Sequence, residues 1–196
     1  MPEISMDPFG LQQNKIAGMN DMRRTSSNKE DIEMAKEKIP STPALRVLKK
    51  SGVSFSLHPY RYEEKGGTEV AARELGVDEH AVIKTLVMED EAREPLVILM
   101  HGDRKVSTKE LARAVKAKRV HPCEPDTAHR HTGYFVGGTS PFGTRRALKV
   151  YMERTILDLD QVYVNAGRKG LLARLSSPDL AGLTGAEPVN VAITPG

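Results

Sequence analysis

Residues 82–88 read VIKTLVM, an apolar run with one lysine, Lys84, near its centre. A strand alternates its side chains, so Val82, Lys84, Leu86 and Met88 share one face and Ile83, Thr85 and Val87 the other. Neither face is plainly polar. Taking a lysine out of water costs free energy, which leaves three places for Lys84: a sheet edge, a stem laid along apolar surface with its ammonium in solvent, or a cavity whose contents it serves. The next apolar run, PLVILMHG at 95–102, follows the charged turn DEARE at 90–94, so the two strands form a hairpin or lie close together.

Helix signals surround this pair. In STPALRVLKKSG, Thr42 is placed as an N-cap, Pro43 suits the first helical position and Gly52 the residue after the end, which predicts a helix over 44–51. VSFSLHPY alternates Val53, Phe55 and Leu57 against polar residues and reads as a half-buried strand. TEVAARELG runs as a helix from a Thr68 cap to Gly76. STKELARAVKAK opens with a capping box, Ser107 and Glu110, and puts Leu111, Ala114 and Val115 on one face. Short strands follow around YFVGG, RALKVYM, QVYVNAG and LLARLS. A helix capped by Ser177 and a last strand in EPVNVAI close the chain. The interleaving, with a strand-rich second half, places the fold in the α+β class with a mixed sheet.

The 196 residues suit one domain, taken as 42–196, with an N-terminal extension over 1–41 that is flexible or loosely docked. Methionines at Met1, Met6, Met19 and Met22 leave a later start open, and DIEMAKEK at 31–38 offers a short helix with only Ile32 and Met34 to bury. No run approaches the ~18 apolar residues of a membrane span and no secretory core opens the chain, which predicts a soluble cytoplasmic protein without a membrane partner. The single cysteine, Cys123, forms no internal disulfide. With 29 basic and 26 acidic side chains the net charge is +3. The excess is local: from Arg104 to Arg119 seven cations face one anion, Glu110. Such a run is usually a solvated face, and at this density also a landing surface for RNA.

Three stretches carry candidate chemistry. HPCEPDTAHRH offers His121, Cys123, His129 and His131 as zinc ligands, but one thiol and three imidazoles spread across two prolines match no common zinc spacing. Cys123 as a nucleophile rests on equally little. The preferred reading is a solvated polar connection, with no metal. GYFVGGTSPFG at 133–143 packs Gly133, Gly137, Gly138 and Gly143 around Ser140 and Pro141. It is either a tight turn or a bent backbone whose amides grip an ester and its oxyanion. NAGRKG at 165–170 sets Arg168 and Lys169 between glycines, which suits a phosphate or nucleotide terminus and equally an ordinary hairpin.

Together, TPALRVLKKSGVSFSLHPY, VIKTLV, GYFVGGTSPFG and NAGRKGL, in this order and spacing, resemble the YbaK/EbsC family of free-standing aminoacyl-tRNA deacylases, relatives of the editing domain inserted in bacterial prolyl-tRNA synthetases. The resemblance spans about residues 42–193. It implies a mixed, partly barrel-like sheet around a pocket for the aminoacylated 3' end of tRNA. The implied activity is hydrolysis in trans of a wrong amino acid from tRNA, commonly tRNA(Pro), often beside prolyl-tRNA synthetase, with no cofactor. Carried over by motif, the pocket lysine falls on Lys84, a pocket tyrosine on Tyr60, and the glycine loop on Gly137, Gly138, Thr139, Ser140, Pro141 and Gly143. The second loop adds Asn165, Gly167 and Lys169. Lys84, Gly137 and Gly138 then act on the ester, and the others hold the substrate. The attacking group is water or the substrate's own side chain. Cysteine-specific members carry a phenylalanine where Gly67 stands and an aspartate where Leu172 stands, so serine, threonine and alanine esters join cysteine as candidates. Two rivals remain: a module that binds aminoacyl-tRNA without turnover, and a metal hydrolase.

Overall fold

The structure, a computed structural model, describes residues 41–193. The expected N-terminal extension and its short helix lie outside the described residues. Five α-helices and ten strands follow in order: α1 (Pro43–Ser51), β1 (Ser56–Pro59), α2 (Gly67–Leu75), β2 (Val82–Asp90), β3 (Pro95–His101), β4 (Lys105–Val106), α3 (Thr108–Ala114), β5 (Val120–Pro122), α4 (Pro125–Thr132), β6 (Lys149–Glu153), β7 (Gln161–Asn165), β8 (Leu171–Ser176), α5 (Ser177–Thr184), β9 (Glu187–Val189) and β10 (Ala192–Ile193). Eight strands form one mixed sheet in the order β1-β8-β7-β2-β3-β6-β9, with β5 also on β2, and β10 pairs with β4 separately. This is the α+β architecture expected.

β2 and β3 are antiparallel in the register Lys84↔Met100, as the hairpin reading requires. β3 lies between β2 and β6, and every residue from Leu96 to His101 is buried, which explains its unbroken apolar run. One core cluster joins Met88, Ile98, Met100 and Tyr151 to Leu111 and Ala112 of α3; a second joins Val82 and Leu172 to Ala71 and Ala72 of α2. Each fully buried Leu, Ile or Met side chain here is worth about 1.5–3 kcal/mol of transfer free energy.

The other edge of β2 decides where function sits. β7 pairs there only with Val82 and Ile83, and β5 only from Met88 to Asp90. The Cys123 amide reaches Val87 O at 3.0 Å, so among the described residues no strand covers Lys84 to Leu86 on that edge. The sheet is open beside Lys84.

Several local expectations change. The strand expected from Val53 begins only at Ser56. Gly66, not Thr68, stands at the N-cap of α2, because the Thr68 hydroxyl is turned to Glu79 (2.7 Å) and Gly102 O (3.3 Å). Ser176, not Ser177, caps α5 by accepting from Asp179 N at 3.1 Å. The supposed connection at 121–131 is the end of β5 followed by α4, with Pro125 in the first turn, Ala128 and Thr132 buried, and Gly133 left-handed after the end. YFVGG is not a strand: Gly137 at φ +83° and the 2.9 Å bond from Gly138 N to Phe135 O close it into a turn.

Candidate active site

A cleft of about 800 Å³ occupies the opening beside β2. Its walls come from residues 82–88 of β2, Gly67, Thr68 and Ala71 of α2, the turn into α3, Cys123 and Ala128, and the two glycine-bearing loops. Of the residues picked out by sequence, Tyr60, Lys84, Gly137, Thr139, Asn165 and Lys169 line it. Gly67 and Leu172, the two departures from the cysteine-specific pattern, line it as well.

Lys84 is half-buried and held. Its Nζ donates to Gly102 O at 2.9 Å and, more closely, to Arg104 O. An ammonium has three donors, so two carbonyls leave one N–H. Burial pushes Lys84 below the ordinary lysine range, Glu79 and Asp103 oppose that by favouring the charged form, and Lys105 adds to the lowering. The turn that supplies the carbonyls is itself pinned, since His80 Nδ1 meets Asp103 at 2.8 Å and stacks on His101 at 3.6 Å.

The loops touch through Asn165. Its amide donates to Gly137 O at 3.1 Å while its Oδ1 accepts from the Gly167 and Arg168 amides at 2.8 and 3.1 Å. Gly138 suits this close contact, because a Cβ there would lie a tight 3.1 Å from Arg168 Cα and from Lys169 N. Gly143 and Gly167 serve packing behind the cleft: Cβ atoms on them would come within 2.8 Å of Pro43 O and 3.0 Å of Thr42 Oγ1. Thr42 caps α1 through Leu45 N (3.1 Å) and donates to Ala166 O, so one side chain fixes a helix start and a loop. Ser140 and Pro141 are buried, with Ser140 Oγ accepting from Phe142 N at 3.3 Å.

The expected roles of the glycine loop therefore divide. Gly138, Ser140, Pro141, Gly143 and Gly167 shape the loops without lining the cleft. The Gly138 amide is spent on Phe135 O, which removes it as an oxyanion donor. The Gly137 and Thr139 amides have no hydrogen-bond partner among the described residues. Tyr134 donates to Phe142 O at 2.7 Å and braces the loop from behind, with burial pushing its phenol up to about 12.

Sequence reasoning missed Thr85. It lines the cleft, and its Oγ1 is the one buried side-chain polar atom without a partner among the described residues. Nothing in the sequence marks it, because a threonine in a strand is ordinary. Tyr62 was also missed; Lys169 Nζ stands 4.9 Å above its ring at the cleft wall.

The three candidate histidine ligands do not line the cleft. His121 meets Glu89 at 3.1 Å, His129 donates to Tyr134 O at 3.2 Å, and His131 meets Arg146 at 3.2 Å. No group of three His, Cys, Asp or Glu with metal-binding geometry occurs among the described residues. Cys123 lines the cleft, but burial, reinforced by Glu89, pushes its thiol up to about 11. A thiol at that value is protonated near neutrality and is a poor nucleophile. Burial also raises the Tyr60 phenol, which stays a donor. No helix among the described residues is long and apolar enough to cross a membrane.

Known proteins resemble this chain in sequence and in fold. The family described as "Aminoacyl-tRNA editing domain" matches residues 63–183. The "Putative Cys-tRNA(Pro)/Cys-tRNA(Cys) deacylase EbsC" of Enterococcus faecalis is 28% identical over 153 residues, 77% of this chain and 93% of that protein. A "Proline--tRNA ligase" of Thermodesulfovibrio yellowstonii is 29% identical over 85 residues, 43% of this chain but 14% of the ligase. A solved structure described as a "putative trans-editing enzyme for prolyl tRNA synthetase" superposes with a TM-score of 0.68 at 23% identity, covering 81% of this chain and all of that one. The chain belongs to the aminoacyl-tRNA editing domain family, of the YbaK/EbsC type.

Proposed function

We propose that this protein is a deacylase acting in trans: its cleft receives the aminoacylated 3' end of a mischarged tRNA and hydrolyses the ester. Residues 42–196 form the catalytic unit, working in the cytoplasm where tRNA is charged. The observation that carries the reading is the opening beside β2, where Lys84 and the free amides of Gly137 and Thr139 share one cleft. At about 800 Å³ it has room for an amino acid and a nucleoside together.

In the reaction, water or the substrate's own side chain attacks the ester carbonyl carbon. The attacker loses a proton, and the carbonyl oxygen becomes an oxyanion that accepts hydrogen bonds from the Gly137 and Thr139 amides. Collapse breaks the bond to the ribose oxygen, which takes up a proton; the free amino acid leaves where water attacked, and its lactone or thiolactone, opened later by water, where the side chain attacked. Lys84, positioned by two carbonyls, offers its remaining N–H to the ribose or ester oxygens.

The relatives named for Cys-tRNA and for proline ligation support mischarged tRNA(Pro) as the substrate class and prolyl-tRNA synthetase as a working partner. Gly67 and Leu172 make this cleft roomier on one side and less polar on another than the cysteine-specific pattern. Cysteine, serine, threonine and alanine esters are the candidates, and an apolar pocket separates them by about 1–3 kcal/mol per methyl-sized difference. The test is single-turnover hydrolysis of tRNA(Pro) charged in turn with each of these and with proline. Cleavage of one or more non-cognate esters with Pro-tRNA(Pro) spared is expected. Tight binding of all five with no hydrolysis would replace the enzyme with a binding module.

A further inference from the structure

Phe135 and Val136 form the tip of the glycine loop, and at 70% and 61% exposure they are the most exposed large hydrophobic residues described. One face of the Phe135 ring is already covered. It stacks on His129 with ring centroids 4.3 Å apart and planes 13° from parallel, while its exposure leaves the other face open. The arrangement is held in place. His129 Nδ1 donates to Tyr134 O at 3.2 Å, and Phe135 O accepts from the Gly138 amide at 2.9 Å and the Thr139 hydroxyl at 3.4 Å.

Its position ties it to the cleft, because the adjacent Val136 is a lining residue. Cations bracket it. The Arg145 side chain lies 3.7 Å from where a Cβ on Gly133 would sit, and the Arg168–Lys169 backbone lies 3.1 Å from the same point on Gly138. Neither Arg145 nor Arg168 has an acidic partner among the described residues. Two adjacent apolar side chains are too small a patch for a protein interface. A flat, fixed, half-covered ring at the mouth of the cleft suits a stacked base.

We propose that Phe135 is a stacking platform for an unpaired RNA base, the first one left outside when the terminal nucleotide enters the cleft. The proposal rests on the deacylase reading, which puts that nucleotide and its amino acid inside. His129 and Phe135 then form the start of a short stack that the base extends.

The probe is an acceptor-stem minihelix with an unpaired 3' end and 2-aminopurine replacing each unpaired base in turn. With the wild-type protein, fluorescence should be quenched most at the base next to the terminal one. Phe135→Leu, which keeps apolar bulk without the ring, should abolish that quenching and weaken binding about ten-fold. Phe135→Trp should retain both. If Phe135→Leu binds and quenches like wild type while wild type hydrolyses the charged minihelix, the platform is wrong and the deacylase reading survives. Equal loss in the Leu and Trp variants would overturn stacking as the cause. If wild type neither binds nor hydrolyses, both ideas fall.

Discussion

At the scale of single residues the site depends on how Lys84 is aimed, and the aim is set by the turn that follows β3, from Gly102 to Arg104. His101 is buried completely, donates from Nδ1 to His80 O at 2.7 Å and so accepts at Nε2 from the Thr155 hydroxyl at 2.8 Å. That pattern fits the neutral ring. Burial, with the neighbouring His80, holds His101 below its ordinary value of 6.5. In the unfolded chain the ring takes up a proton near 6.5, whereas the folded protein resists protonation until lower pH. Between those two points the unfolded state binds more protons. Stability should therefore fall as pH drops from about 6.5 toward the folded value and level off below it. His58 and His131 are shifted the same way, so His101→Gln should reduce this slope without removing it. Urea unfolding of both proteins between about pH 7.5 and pH 5 measures it, and equal slopes would contradict the role given to His101. None of this could be read in HG at the end of an apolar strand. Lys84 itself was legible, because a lone lysine in an apolar run needs a reason.

At the scale of elements, the glycine loops work as a joined pair. Gly138→Ala puts a methyl against backbone, which cannot yield as a side-chain tip can. It should cost about 1–3 kcal/mol of stability and lower hydrolysis several-fold by pushing the loops apart. Asn165→Ala leaves Gly137 O and two amides without their partner, and should cost a further measurable loss of about 1–3 kcal/mol. Thermal unfolding with parallel rate measurements reads both, and an unchanged rate in Gly138→Ala would detach the loop contact from function. The caps of α1 and α3 were legible because Thr42-Pro43 and Ser107…Glu110 are local chemistry. α4 was not, since its charged and histidine-rich sequence buries only Ala128 and Thr132. Which loop glycines line the cleft was also hidden: that depends on Thr42, Pro43 and Arg168 arriving from distant parts of the chain.

At the scale of the molecule, sheet order makes the cleft. β5 and β7 share one edge of β2 and leave a gap, a pairing no stretch of sequence announces. The cleft also meets a second depression of about 420 Å³ lined by Lys109, Arg113, Lys118 and Arg119, with Thr108 common to both. This gives the basic run at 104–119 a place beside the site. Replacing Lys109, Lys118 and Arg119 with glutamine should weaken tRNA binding and lower the slope of log affinity against log salt by about one per lost phosphate contact. An unchanged slope would return the run to an ordinary solvated face.

The central claim, that this cleft hydrolyses an aminoacyl ester with Lys84 at its centre, is tested most directly by one comparison. Wild type and Lys84→Ala are mixed separately, in excess, with Cys-tRNA(Pro) and with the ester cleaved fastest in the substrate panel, and the loss of ester is followed with time. The account predicts a rate about 10²–10³-fold lower in Lys84→Ala, with an unfolding transition as cooperative as that of wild type. Equal rates in the two proteins would contradict it.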